Sequence, residues 1–370
     1  MRALMVAILL VVSACPSSTP QRPTTPTTPG DPAPPPRPPD APRLDVVRVA
    51  TAVDLPDALL PGTYRLHLID VGTGLAVLVQ GVDFALLYDA GTNDGKEKPS
   101  RVIAYLTAVL GASGDDVCGQ ASPVPKRKID HVVLSHPHLD HASALDTVLH
   151  CFEIADYWDS GKTATTKFYL ALLDALVRTP LVYHTAADQP QVAIPTWKRY
   201  SEGDVVQLGE GARFTILHAN PKASDANAAS LVIAVELGRT KVLLVGDAES
   251  GPRKDPSYPV GDVEEHLIDH HAERIRSDIL QVGHHGSKTS SRRAFIEAVK
   301  PSYALVSSGP KIYGKDVRLP DQEVLDELSR SGAKILRTDE RDGSCPVEGR
   351  IGGNDDGPGG CDTWVITIGP

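Results

Sequence analysis

The sequence predicts an α/β chain folded as an αββα sandwich, on two observations. Three short apolar strands follow one another near the front, at residues 64–71, 76–80 and 84–89, joined by glycine-bearing turns. Behind them, β-branched runs alternate with amphipathic stretches of helical period. A strand meander ahead of mixed strands and helices fits two stacked sheets with outer helices better than a doubly wound parallel sheet.

The elements follow in order. Residues 1–15 read as a signal segment, with Met1-Arg2, an apolar stretch to Val12, and Ser13-Ala14 just before Cys15. The stretch is too short to span a bilayer. The small residues ahead of Cys15 resemble a bacterial lipobox, so the mature chain is expected to begin at a lipid-bearing cysteine. Residues 16–43 hold twelve of the thirty-one prolines and read as a semi-extended tether that buries no core. Residues 44–370 suffice for one large domain. Within it, 99–110 reads as an amphipathic helix, 129–134 as a buried strand and 143–152 as a helix. Further strands are expected at 214–218, 230–237, 241–245, 279–282, 303–307 and 364–368, and helices at 263–275, 292–299 and 321–331.

The loop after the 129–134 strand carries the chemistry. Ser135-His136-Pro137-His138-Leu139-Asp140-His141 places four metal-binding side chains within six residues, in a chain with thirteen histidines. A strand would send alternate side chains to opposite faces, whereas a loop turned by Pro137 aims neighbours at one point. His136 and His138 are expected to grip one ion, and Asp140 and His141 a second. Imidazole with carboxylate suits zinc, and also manganese or iron.

His136-Pro137-His138-Leu139-Asp140-His141 resembles the HxHxDH signature of the metallo-β-lactamase-fold superfamily. Lys241-Val242-Leu243-Leu244-Val245-Gly246-Asp247 resembles its strand ending in Gly-Asp, and Val282-Gly283-His284-His285-Gly286-Ser287 its His-His-Gly-Ser segment. This version is most similar to the C-terminal hydrolase domain of ComEC-type DNA-uptake proteins and their free-standing relatives. The resemblance implies an αββα sandwich of the metallo-β-lactamase type that holds two Zn2+, with Mn2+ or a single ion as the alternatives. It makes Asp247 the bridging ligand and has a histidine of the His284-His285 pair complete the second metal. His284 is the expected ligand, and His285 the neighbour that contacts substrate or supplies a proton. Asp140 is expected to hold an ion and orient the nucleophile. Ser287, Lys288 and Thr289 are expected either to bind an anionic oxygen or, the simpler reading for any one of them, to cap the helix that follows.

Departures from the family pattern are informative. Thr73 and Leu75 replace a glutamine and an aspartate of the family's front turn, and Tyr313 to Pro320 stands where the family often carries His-Pro-His. No clear histidine completes the first metal between His141 and Asp247; His218 and Asn227 are the nearest candidates, while His150 and His184 are expected to serve packing.

Cysteine arithmetic agrees with export. With Cys15 at the anchor, four cysteines remain, and Cys118–Cys151 and Cys345–Cys361 are the expected disulfides. A net charge of −10 argues against a large non-specific nucleic-acid surface, so no stable nucleic-acid complex is expected. The Arg292-Arg293 pair is expected near the site. The expected activity is metal-assisted hydrolysis of a phosphodiester or another small anionic substrate in the cell envelope, the lipid anchor being the only membrane contact. The alternatives are hydrolysis of small esters, lactones or β-lactams, and a non-catalytic surface protein with a structural metal.

Overall fold

The computed structural model describes residues 43–94, 100–342, 345, 347–352 and 359–369. The expected signal segment and all of the tether but Arg43 lie outside them. In the first half of the domain the strands are β1 (Leu44–Val49), β2 (Tyr64–Leu68), β3 (Val77–Gln80), β4 (Ala85–Tyr88), β5 (Lys128–Leu134), β6 (Glu153–Asp159), β7 (Val182–Thr185) and β8 (Trp197–Arg199). Its helices are α1 (Arg101–Leu110), α2 (Leu139–Ala142), α3 (Leu145–Cys151) and α4 (Lys167–Arg178). The second half supplies β9 (Val205–Gly209), β10 (Ala212–His218), β11 (Val232–Leu237), β12 (Thr240–Leu244), β13 (Ile279–Gln281), β14 (Tyr303–Val306), β15 (Ile312–Tyr313), β16 (Val317–Arg318), β17 (Lys334–Arg337) and β18 (Thr363–Ile368). Helices α5 (Asp262–Ile275), α6 (Arg293–Val299) and α7 (Gln322–Arg330) accompany them.

Two sheets result. One has the order β1-β18-β2-β3-β4-β5-β6-β7-β8 and the other β17-β14-β13-β12-β11-β10-β9, while β15 and β16 form a separate hairpin. The period-two alternation of strand side chains sorts residues into layers. Val77 and Val79 of β3 enter the core between the sheets, and Leu78 turns to the outer core. On β12, Val242 and Leu244 face the first sheet while Leu243 packs toward α5 and α6. Val102, Ile103 and Leu106 of α1 and Leu172 and Leu176 of α4 cover the first sheet's outer face, and Val324 and Leu328 of α7 help cover the second. These are the four layers of the expected sandwich.

Both pairs of cysteines are joined as expected, Cys118 to Cys151 and Cys345 to Cys361. The first ties the loop ahead of β5 to the end of α3. The Arg292-Arg293 expectation is corrected. Arg292 is buried and donates to the carbonyls of Pro252, Lys254 and Asp255, and Arg293 pairs with Glu327. Both cations hold the α6 region together. Among the described residues no helix is long and apolar enough to cross a membrane.

Strands β4, β5, β6 and β7 run parallel, as do β12, β13, β14 and β17. Their carboxyl ends open on a common edge, the usual place for a site in α/β sheets. The two sheets are pinned together there, since Leu231 N–H donates to the Ser135 carbonyl at 2.8 Å and Ser307 Oγ to the Gly74 carbonyl at 2.7 Å. Gly246 ends the β12 segment with φ +58°, and a Cβ there would stand 2.6 Å from Ser135 Cβ. Only glycine permits both that turn and that approach.

Candidate metal centre

Three strand ends deliver the donors. The β5–α2 loop carries His136 and His138, and α2 carries Asp140 and His141; Asp247 follows β12 and His285 follows β13. The donor atoms of His136, His138 and Asp247 lie within 4.8 Å of one another, and so do those of Asp140, His141 and His285. Asp247 reaches both groups. Its Oδ2 is 3.7 Å from His136 Nε2, and its Oδ1 is 3.2 Å from His141 Nε2 and 3.8 Å from His285 Nε2.

These residues fit divalent cations. His141 Nε2, His285 Nε2 and Asp247 Oδ1 are buried with no hydrogen-bond partner, although an orphaned buried polar atom is costly. Both histidines are clamped at the opposite nitrogen. His141 Nδ1 donates to Asp89 Oδ2 at 2.8 Å and His285 Nδ1 to the Ser307 carbonyl at 2.8 Å, which leaves an Nε2 lone pair facing inward on each ring. Asp89 also accepts from Ser135 N and Ser135 Oγ, both at 2.7 Å. Asn93 Nδ2 donates to Asp140 Oδ2 at 2.8 Å.

The charges suit cation binding as well. Burial holds His136 well below the ordinary imidazole value and His138 below it, so both rings are neutral donors. Burial opposes ionisation of Asp140 and Asp247. The surrounding imidazoles outweigh it: those of His285 and His141 hold Asp140 below the ordinary carboxylate value, and those of His141, His285 and His284 hold Asp247 well below it.

The structure places His285, and not the expected His284, in the donor group with Asp140 and His141. Both residues are left-handed, with φ +46° and +53°, in the turn Gly283–Gly286. Two consecutive left-handed residues swing the first ring outward and the second inward. His284 keeps 23% of its side chain exposed, engages Glu249 and Thr289 through Nδ1 at 2.7 and 2.8 Å, and sets Nε2 3.8 Å from Asp247 Oδ2. It stands at the mouth of the centre. Ser287 and Thr289 bond to each other and to Arg253 and His284, and Lys288 pairs with Glu323.

His218 is not part of either donor group. Its Nδ1 donates to the Ser230 carbonyl at 2.8 Å, and its charged neighbours are Glu202, His266 and His271. Asn227 has a buried Oδ1 without a partner, on the segment whose Leu231 bonds to Ser135. His184 stacks on Trp158 at 3.6 Å, and His150 pairs with Asp115. Across the mouth, the Tyr313 hydroxyl is buried and unpartnered; burial, Asp140 and Asp247 all oppose its ionisation.

Asp89 and Asn93 were not visible from sequence. They stand two residues either side of Gly91 in the turn after β4 and read as ordinary turn residues; the aspartate's signal, an acid just beyond a buried strand, is shared with Asp247.

A family model described as the metallo-beta-lactamase superfamily matches residues 69–309. Competence protein ComA of Neisseria gonorrhoeae is 28% identical over 288 residues, which covers 77% of this chain and 32% of that protein. ComE operon protein 3 of Bacillus subtilis is 34% identical over 155 residues, 42% of this chain and 18% of that protein. The chain therefore spans a third or less of the length of these curated relatives. Among solved structures, the metallo-beta-lactamase fold protein YhfI from Bacillus subtilis is 13% identical with a TM-score of 0.40, covering 74% of this chain and 95% of that one. Given the match through both sheets and across the loop and Asp247, the chain belongs to the metallo-beta-lactamase superfamily, with curated relatives of the ComEC type.

Proposed function

We propose that the protein is a metal-dependent phosphodiesterase that works in the cell envelope. One observation carries the reading: two donor groups share Asp247, and three buried, unpartnered donor atoms face inward between them. Bound divalent cations would supply an acidified water and a countercharge for the oxygen anion that develops during hydrolysis. His136, His138 and Asp247 would hold the first ion, with Asn227 as a further oxygen donor, and Asp140, His141, His285 and Asp247 would hold the second. Zinc suits this set best.

The chain's own groups do the rest. Asp89 and the Ser307 carbonyl fix the tautomers of His141 and His285. Asn93 holds Asp140 in the orientation that faces His285. His284, oriented by Glu249, presents Nε2 at the mouth and is placed to pass a proton to a leaving oxygen. Tyr313 offers an O–H to an anionic substrate oxygen.

The phosphodiester choice draws on the relatives, one named a competence protein and another, from Haemophilus influenzae, Recombination protein 2. The acidic net charge restricts contact to a short stretch of strand. Export, the Cys15 anchor and the tether belong to this proposal; the two disulfides support them, since such bonds persist outside the cytoplasm.

The test is to strip purified protein with chelator, restore zinc or manganese, and assay bis-p-nitrophenyl phosphate, single-stranded DNA and a chromogenic lactam. Metal-restored cleavage of the first two supports the reading. Cleavage of the lactam alone overturns it.

A further inference from the structure

A second set of donors comes together away from the centre and shares no residue with it. Glu202 lies between β8 and β9, His218 ends β10, and His266 and His271 lie on α5. His266 Nε2 is 3.0 Å and His271 Nε2 3.7 Å from Glu202 Oε2, and the three donor atoms lie within 4.8 Å of one another. Glu202, His218 and His266 line a cavity of about 380 Å³.

Three details separate this cluster from an ordinary Glu–His ion pair. First, His271 is only 10% exposed at its side chain, and its Nε2 is buried with no hydrogen-bond partner. An ion pair between Glu202 and His266 leaves that nitrogen orphaned; a cation would satisfy it. Second, residues five apart on a regular helix point about 140° away from each other. His271 departs from helical geometry, at φ −134° and ψ 23°, and its ring comes round to the carboxylate that His266 already meets. Third, His218 gives its Nδ1 proton to the Ser230 carbonyl, the arrangement that leaves Nε2 as a donor to metal, and its ring centroid lies 5.4 Å from that of His266. His270 stacks on His266 at 4.5 Å and steadies the ring.

The remaining gathering of this kind among the described residues, Asp115 with Cys118 and His150, has its sulfur committed to the disulfide.

We propose that Glu202, His266 and His271, with His218 as the fourth donor, form a second transition-metal site. Three imidazoles and one carboxylate suit Zn2+ and its borderline neighbours, whereas Mg2+ and Ca2+ require oxygen ligands. A cation here joins the β8–β9 turn, the end of β10 and α5. The site acts as a staple across the second sheet's outer face and takes no part in hydrolysis.

The test uses the full chain without a polyhistidine tag, stripped of metal and titrated with Co2+ and then Zn2+, with bound ions counted by mass spectrometry. Wild type is expected to bind one equivalent more than His266→Gln/His271→Gln, whose circular dichroism and hydrolytic activity stay at wild-type levels. Glu202→Gln is expected to weaken that equivalent at least tenfold, and Asp247→Ala to retain it. A double variant that binds as many ions as wild type, with the same affinities, overturns the proposal. Should Asp247→Ala not fold, the double variant decides alone, because its substitutions leave the centre intact. A wild-type protein that cleaves none of the test substrates while this equivalent stays bound counts against the centre's proposed activity and leaves the staple standing.

Discussion

Replacing Asp89 with asparagine tests how His141 is prepared for metal, because the substitution changes one atom and reverses the two hydrogen bonds that reach it. Asp89 is fully buried and accepts three bonds: Ser135 N on Oδ1, and Ser135 Oγ and His141 Nδ1 on Oδ2. In Asp89→Asn the remaining oxygen continues to accept from Ser135 N. The amide nitrogen takes the place of Oδ2, where the Ser135 hydroxyl can rotate and accept. His141 cannot adapt so cheaply, since its Nδ1–H meets an N–H. The ring must move its proton to Nε2, the nitrogen 3.2 Å from Asp247 Oδ1 that is needed as a donor to metal. Loss of such an outer partner weakens metal binding about 10–100-fold, or about 1.4–2.8 kcal/mol. Competition with a chromophoric chelator should therefore show the equivalent held by His141 weakened by that factor, with circular dichroism unchanged. If Asp89→Asn binds every equivalent with wild-type affinity, the claim that Asp89 sets the His141 tautomer is wrong.

Other outcomes follow from the same structure. Asp247→Ala removes the carboxylate common to both donor groups, so metal-restored hydrolysis should fall to the metal-free background; Asp140→Ala should do the same by emptying the second group, and full activity in both would refute the shared-carboxylate reading. Cys118→Ser/Cys151→Ser opens a loop with a sequence separation of 33, which should lower stability by about 3–4 kcal/mol in urea denaturation. Burial pushes Glu264 up to about 7, against an ordinary 4.5, where it accepts from the backbone N–H groups of Ser291 and Arg292. The unfolded chain releases that proton near 4.5 and the native chain keeps it to about 7. The native state therefore binds more protons across this window, and stability should fall as pH rises through it, by up to about 3 kcal/mol. Denaturation midpoints measured from pH 4.5 to 7 should slope less in Glu264→Gln; an unchanged slope would show that Glu264 is not the group responsible.

Much of the fold was legible because apolar period and turn chemistry agree locally. The front meander, α1, β10 to β14, α5 to α7 and β18 fall close to their expected places. Strand β1 was missed because its residues Leu44 to Val49 follow a proline-rich run and gain strand identity only by pairing with β18, over three hundred positions away. Helix α4 was not legible although it buries Leu172, Leu173 and Leu176, because the run Phe168 to Val177 is apolar at all but Asp174 and its exposed Leu170 and Val177 blur the helical period. At the site, the density of histidines in one loop revealed the donors, and the resemblance of the Lys241 to Asp247 segment to the family's Gly-Asp strand end pointed to Asp247. The inward position of His285 in place of His284 was not legible, because two left-handed residues decide it and neither is a glycine. The displacement of His218 has a similar cause: its strand and α5 pack together, and the sequence between them does not say so.

The pinning of the two sheets at the site edge has a consequence for the order of events as the chain is made. A nascent chain that has emerged only as far as Val245 already contains the whole HxHxDH loop, yet it lacks Asp247 and His285. It also lacks the Ser307 carbonyl that sets the His285 ring. Ions met at that stage find two half-sets of ligands with no shared carboxylate. With the two donor groups as proposed, metal loading would be a late step that follows docking of the second sheet on the first.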